Sequence, residues 1–142
     1  QRSVDGAVKV TKEVGDRLAH LRQAILDTPA ASEEDLATAR AFQTTLDDIK
    51  IALIGDPTKG ERNVFTPPSI SDRVDRIVGG LWTTTLGPTG TQRDSYRWAG
   101  EAFTTELDRL QTLVADLEAF EANLETAGAP WTPGRVPTWQ PE

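Results

Sequence analysis

The chain contains no cysteine and no methionine, and His20 is its one histidine among 142 residues. Without cysteine it has no disulfide framework, no thiolate-bound zinc or iron–sulfur cluster and no thiol nucleophile. One histidine is too few for a multi-histidine metal site and makes a Ser-His-Asp triad hard to assemble. The helical di-iron motif needs a glutamate three residues before the histidine, and Arg17 stands there. We therefore predict no metal site, no cofactor and no catalytic residue.

Charge and hydropathy exclude two further classes of protein. Fifteen basic side chains stand against 22 acidic ones, a net charge of −7, whereas a general nucleic-acid binder needs clustered lysine and arginine. No apolar run approaches the roughly 20 residues that cross a bilayer. The length suits one domain with its own core. Because the first residue is Gln1 and not methionine, we expect a processed or excised part of a longer protein.

Apolar residues recur every three or four positions in four stretches, which is typical of amphipathic helices. The first stretch covers about 4–27 and ends before Pro29. The second, 33–54, follows Ser32, an N-cap residue, and ends at Gly55. Their predicted core positions are Val4, Ala7, Thr11, Val14, Leu18, Leu21 and Ile25, then Leu36, Ala39, Phe42, Leu46, Ile49 and Leu53.

The third and fourth stretches cover about 70–82 and 92–127. We predict that the fourth helix begins at a capping box of Thr91 and Asp94. It contains no proline, and its acidic residues, Glu121 among them, fall on the face predicted to meet solvent. The predicted core positions are Ile70, Val74, Ile77, Val78 and Leu81, then Tyr96, Ala99, Phe103, Leu107, Leu110, Val114, Leu117, Phe120 and Leu124.

Two segments lack this period. Residues 55–69 contain two glycines and three prolines and predict a long loop, and residues 129–142, rich in proline and tryptophan, predict an extended tail. Four helices with one apolar stripe each bury those stripes most simply against one another. The sequence therefore predicts an all-α protein: a four-helix bundle over 1–128 with a long fourth helix, in which the direction of the third helix stays open.

Motifs that carry catalysis are missing. Neither Gly-x-Ser-x-Gly nor a phosphate-binding glycine-rich loop occurs. Neighbouring acids such as Asp47 and Asp48 fall on the predicted solvent face, where no burial would raise the pKa of one carboxyl for acid–base work.

Arginines concentrate in the middle of this acidic chain, at positions 62, 73, 76, 93 and 97. Two interpretations stay open. The arginines bind an anionic ligand at the end of the bundle, or they pair with Asp56, Asp72, Asp75 and Asp94, which is the interpretation that we favour.

The four tryptophans divide into two pairs. Trp82 and Trp98 lie on predicted helices, where we expect them to pack in the core or at the end of the bundle. Trp131 and Trp139 lie in the tail, and they either fasten it to the bundle or bind a partner, a role in which tryptophan is enriched. The candidate interaction residues are Arg62, Phe65, Arg73, Arg93, Trp131, Arg135 and Trp139.

Several loop and cap segments resemble those of a known family. They are Gly55-Asp56-Pro57-Thr58, Thr66-Pro67-Pro68-Ser69-Ile70-Ser71-Asp72-Arg73-Val74, Pro88-Thr89-Gly90-Thr91-Gln92 and Ala129-Pro130-Trp131-Thr132-Pro133-Gly134-Arg135. They resemble the C-terminal helical region of bacterial sortilin-like proteins, which are built on Asp-box (BNR-repeat) β-propellers and are often labelled glycosyl hydrolases. The resemblance covers nearly the whole chain.

This resemblance implies a secreted parent protein, and so an extracellular or periplasmic location, in which a β-propeller precedes this domain. The chain has no Ser-x-Asp-x-Gly-x-x-Trp pattern. Any hydrolase activity that the family label implies would therefore belong to the preceding part of the parent.

Three hypotheses for function follow. The leading one is a non-catalytic helical accessory domain that packs on the propeller or contacts a partner through 55–71 and 129–142. The second is an enzymatic or small anionic-ligand-binding bundle with its site at the arginine-rich end. The third is a helical oligomerisation module, since the sequence leaves the oligomeric state open.

Overall fold

The computed structural model describes residues 1–61, 65–82 and 87–139, with backbone alone for 60 and 61. All regular secondary structure in these ranges is helical, so the predicted all-α class is confirmed. The helices are α1 (Arg2–Leu26), α2 (Glu33–Ile54), α3 (Pro57–Glu61), α4 (Ile70–Trp82) and α5 (Gly90–Thr126). The ends of the four long helices lie within two residues of the predicted ones. Arg62, a candidate interaction residue, lies outside the described residues.

The short helix α3 was not predicted, because residues 55–69 read as a loop throughout. The Asp56 carboxylate accepts hydrogen bonds from the Thr58 N–H (2.9 Å) and the Thr58 hydroxyl (2.7 Å). Pro57 occupies the first helical position, where its missing N–H costs nothing. An Asp-Pro pair at a helix start is thus the local signal for α3.

Helix α5 begins two residues earlier than predicted, since its capping box is Thr89 and Gln92 and not Thr91 and Asp94. The Gln92 side chain accepts from the Thr89 N–H at 2.8 Å, and the Thr89 hydroxyl accepts from the Gln92 N–H at 3.3 Å. Glutamine is one of the two residue types usual at this position of a capping box. Asp94 is left to accept a hydrogen bond from Arg97 at 2.9 Å.

Helix α5 contacts three of the other helices, α1, α2 and α4. Its later turns run in the same direction as α1: Ala7 lies beside Leu110, and Arg17 bonds to Glu121. Helix α2 contacts α1, α4 and α5. The first turns of α5 pack along α4 instead, where a Cβ on Gly80 would lie 2.9 Å from Gln92 Nε2. A side chain at position 80 would therefore have to displace the end of the Gln92 side chain.

The core between the helices is aliphatic. Its buried members are Val4, Ala7, Val14, Leu18, Leu21, Ile25, Ala39, Leu46, Ile49, Leu53, Ile70, Leu110, Leu113, Leu117, Leu124 and Ala129. The predicted positions of α1 are all buried, Thr11 included. Leu81 and Tyr96, predicted as core, are instead 41% and 68% exposed. Leu81 lies in the last turn of α4 and Tyr96 in the second turn of α5, and the side of each helix that carries these residues is not covered by the described elements.

Glu121 corrects a further prediction, since it was placed on the outer face of α5. Its side chain is only 2% exposed, and Arg17 of α1 donates to both of its carboxylate oxygens, at 3.4 and 2.8 Å. The parallel packing of α1 on α5 turns this acid inward, beside Leu117 and Leu124. The spacing of the acidic residues along α5 does not by itself show that Glu121 faces α1.

The tail turns back along α5. Gly128, with φ +90°, follows the last turn, and the Ala129 and Gly128 N–H groups donate to the carbonyls of Leu124 and Glu125. These two bonds form a Schellman motif, and the buried Ala129 supplies its apolar contact. The chain beyond residue 129 thereby returns to α5, where Arg135 bonds to Glu125.

Candidate functional site

All four tryptophans and the one tyrosine lie on the surface. Trp82 is 85% exposed and Trp139 83%, while Trp98 and Trp131 are 46% and 41% exposed. The prediction that Trp82 packs in the core or against the end of the bundle is therefore wrong. Trp98 is not a core residue either, although about half of its surface is buried. The core consists of aliphatic side chains, and the period of α4 and α5 does not reveal which side of these helices lacks a neighbour.

An open cleft of about 870 Å³ lies between α4 and α5, and we call it the α4–α5 groove. Its lining includes Arg73, Arg76 and Ile77 from α4 and Arg97, Trp98 and Glu101 from α5. Helix α4 places Arg73, Arg76 and Ile77 at a spacing of three and four residues, so they share one face. The groove thus collects arginines that are scattered in the sequence.

Arg73 is the best-positioned of these side chains. Its guanidinium lies over the Trp98 ring, 3.8 Å from the ring centroid, which is a cation–π contact. Its Nε atom is buried without a hydrogen-bond partner. No carboxylate in the described part of the chain pairs with Arg73, and the contact of its guanidinium there is the Trp98 ring.

The favoured pairing of the arginines with aspartates is mostly wrong. Of those predicted pairs, the described residues contain Arg97 with Asp94, at 2.9 Å. Asp72 is used in the cap of α4, where it accepts from the Ser69 N–H and hydroxyl at 3.0 and 2.8 Å. Within the described ranges Arg76 and Arg93 form no ion pair. Asp75, in turn, accepts a hydrogen bond from Gln1, at 3.3 Å.

The remaining candidates near the loop are dispersed. Phe65 is 91% exposed in the segment that leads into α4. Arg93 is exposed in the first turns of α5 and is not part of the groove lining. Arg73 is therefore the candidate from this region that the structure brings into a concave site, together with Arg76, Arg97 and Trp98, which the candidate set omitted.

The tail forms a second surface, at the other end of α5. Arg135 donates from Nε and Nη2 to the two carboxylate oxygens of Glu125, both at 2.6 Å. This bidentate hydrogen bond holds the pKa of Glu125 below its ordinary value. Trp131 and Arg135 line a shallow cleft against α5, whereas Trp139 extends into solvent. The salt bridge of Arg135, and not Trp139, fastens the tail to its own helix.

No three histidine, aspartate or glutamate side chains are grouped for a metal ion within 1–61, 65–82 and 87–139. In the same ranges no helix has the length and hydropathy to cross a membrane. No family model, no curated protein and no solved structure matches the chain.

Proposed function

We propose that this chain is a non-catalytic helical interaction domain, in which the four long helices form a bundle that presents aromatic side chains to a partner protein. The observation that carries this proposal is the exposure of every tryptophan and of Tyr96, against a core built from leucine, isoleucine, valine and alanine. A fold that needed these rings for its own stability would bury them.

Exposed tryptophan is unfavourable in water and favourable in an interface. Covering a large apolar side chain stabilises a complex by about 1.5–3 kcal/mol, and tryptophan, tyrosine and arginine dominate the residues that carry binding energy. Trp82 and Trp139 are more than four-fifths exposed and lie on different elements. Their exposure supports binding more than it supports internal packing.

The partner that we propose is the β-propeller that precedes this domain in a secreted parent protein. The loop and cap segments that resemble sortilin-like proteins support this partner and an extracellular or periplasmic location. Any glycosyl hydrolase activity of the parent would then reside in the propeller, and this domain would position it or connect it to another protein.

Replacing Trp82 and Trp139 by alanine, singly and together, tests the proposal. Since both rings are exposed, we expect unchanged helicity and melting temperature, and an association with the preceding domain that is weakened about tenfold or more in the double variant. Leu26→Ala and Ile51→Ala, at exposed aliphatic positions, serve as controls. Calorimetric titration that finds no association of the wild-type domains, or equal affinity for all variants, would contradict the proposal.

A second function, helical oligomerisation, is favoured by a different observation. Helices α1 and α5 leave an apolar groove of about 490 Å³, lined by Ala7, Val10, Leu107 and Val114 beside Gly6. A helix from a second copy would cover it. Light scattering on the purified domain tests this function. A dimer mass that depends on concentration and is abolished by Val10→Asp supports oligomerisation, whereas a monomer mass at all concentrations excludes it.

A further inference from the structure

We propose that the α4–α5 groove is the docking site for an acidic, partly apolar segment of a partner protein, with carboxylates of the segment on Arg73 and Arg76 and an apolar side chain on Trp98. This inference rests on the proposed function and assigns a location and a partner chemistry to it. It also explains why this groove contains arginine charge that the described residues leave unpaired.

Charge complementarity selects the partner. The chain carries a net charge of −7, so most of its surface repels an acidic segment. Within the groove, Arg97 is neutralised by Asp94, and Glu101 is the other acid of the lining. Arg73 and Arg76 have no carboxylate partner among the described residues. An acidic segment therefore meets local attraction in the groove and repulsion over the acidic faces, which fixes where it binds.

The geometry of Arg73 favours a carboxylate. Stacking on Trp98 at 3.8 Å holds the guanidinium in place before any ligand arrives, so less side-chain freedom is lost on binding. Burial of Nε leaves the Nη groups as the donors open to a ligand. A planar fork of this kind binds a carboxylate through two N–H groups.

The apolar part of the groove requires more than a free anion. Trp98 is nearly half exposed beside the buried Ile77, and Trp82 lies two residues beyond the lining residue Gly80 at the end of α4. The volume of about 870 Å³ lies within the range of roughly 300–1,000 Å³ typical of ligand sites. An extended segment with both acidic and apolar side chains fills such a groove, whereas a small anion leaves Trp98 in water.

Selection from a random peptide library on the wild-type domain identifies the preferred chemistry without assuming a sequence. We expect the enriched peptides to combine aspartate or glutamate with an aromatic residue or leucine. Their affinities, measured by fluorescence anisotropy, should fall about tenfold or more in Arg73→Gln/Arg76→Gln, less in Arg73→Lys, and also when the peptide acids are replaced by amides.

Arg22→Gln/Arg40→Gln is the matched control, because it removes the same charge from exposed positions on α1 and α2. Its affinity should stay near that of wild type, and circular dichroism should show that both double variants are folded. Enrichment of neutral or basic peptides, no enrichment at all, or equal losses in the two double variants would overturn the inference. Peptides that depend on Trp139 and not on Arg73 would move the site to the tail, overturning the groove assignment while leaving the proposed function intact.

Discussion

The buried pair of Arg17 and Glu121 gives the sharpest prediction about stability. Arg17→Ala leaves the Glu121 carboxylate, 2% exposed, without its two hydrogen bonds. Removing one partner of a buried ion pair costs about 3–5 kcal/mol because the remaining charge stays buried. The Arg17 side chain is 27% exposed and Arg135 is close enough to attract Glu121. Because solvent and Arg135 partly compensate the remaining charge, we expect a loss of stability at the lower end of this range, about 3 kcal/mol.

Urea unfolding followed by circular dichroism measures this loss. With a slope of about 1–3 kcal/mol per molar urea, a loss of this size lowers the midpoint by roughly 1–3 M. Arg22→Ala, at an exposed position five residues further along α1, should change stability by less than about 0.5 kcal/mol. Arg17→Met combined with Glu121→Leu should restore the stability to within about 1 kcal/mol of wild type or exceed it, since two apolar side chains leave no buried charge. Equal midpoints for Arg17→Ala and Arg22→Ala would refute the placement of Glu121.

Two further predictions concern α4 and the tail. Gly79→Ala should stabilise the protein by about 1 kcal/mol in the same urea assay, because the added Cβ meets nothing within 4 Å. Gly80→Ala should stabilise it less or not at all, because its Cβ would displace the Gln92 side chain 2.9 Å away. A larger gain at Gly80 than at Gly79 would contradict the close approach of α4 and α5. The hydrogen bonds from Arg135 lower the pKa of Glu125 in the folded state. The stability that this pair contributes is therefore fully present above the unfolded pKa of about 4.3. It is lost as the pH falls through the lower folded pKa. Proteolysis of the tail should therefore accelerate in acid below about pH 4, and Glu125→Gln should show the fast rate already at pH 7; a pH-independent rate in both proteins would contradict this pair.

The spacing of the apolar residues and the residues that cap or end helices predicted the four long helices, because both signals depend on residues close together in the sequence. Ser32 caps α2 and Gly128 ends α5 through hydrogen bonds to residues within five positions. The start of α5 was missed by two residues because two overlapping boxes, at Thr89 and Thr91, compete, and the glutamine at position 92 decides between them. Local chemistry of this kind can be read from a sequence when every alternative is compared.

The features that matter for function depend on contacts between distant residues. Glu121 has the spacing of a solvent-facing acid, and only the packing of α1 places Arg17 beside it. Trp98 has the spacing of neither a clear core nor a clear surface residue, and it stays about half exposed although the Arg73 guanidinium of α4 lies over its ring. A single sequence contains no signal for which helix lacks a neighbour, so the α4–α5 groove could not be predicted.

The exposure of the tryptophans tests the central claim most directly. Four indole N–H signals in a ¹H–¹⁵N NMR spectrum, assigned by single Trp→Phe variants, report the access of a soluble nitroxide to each ring. We predict that all four signals broaden, most strongly those of Trp82 and Trp139 and to a smaller extent those of Trp98 and Trp131. Protection of Trp82 and Trp98 from the nitroxide would show that these rings stabilise the fold, and it would contradict both the interaction surface and the groove.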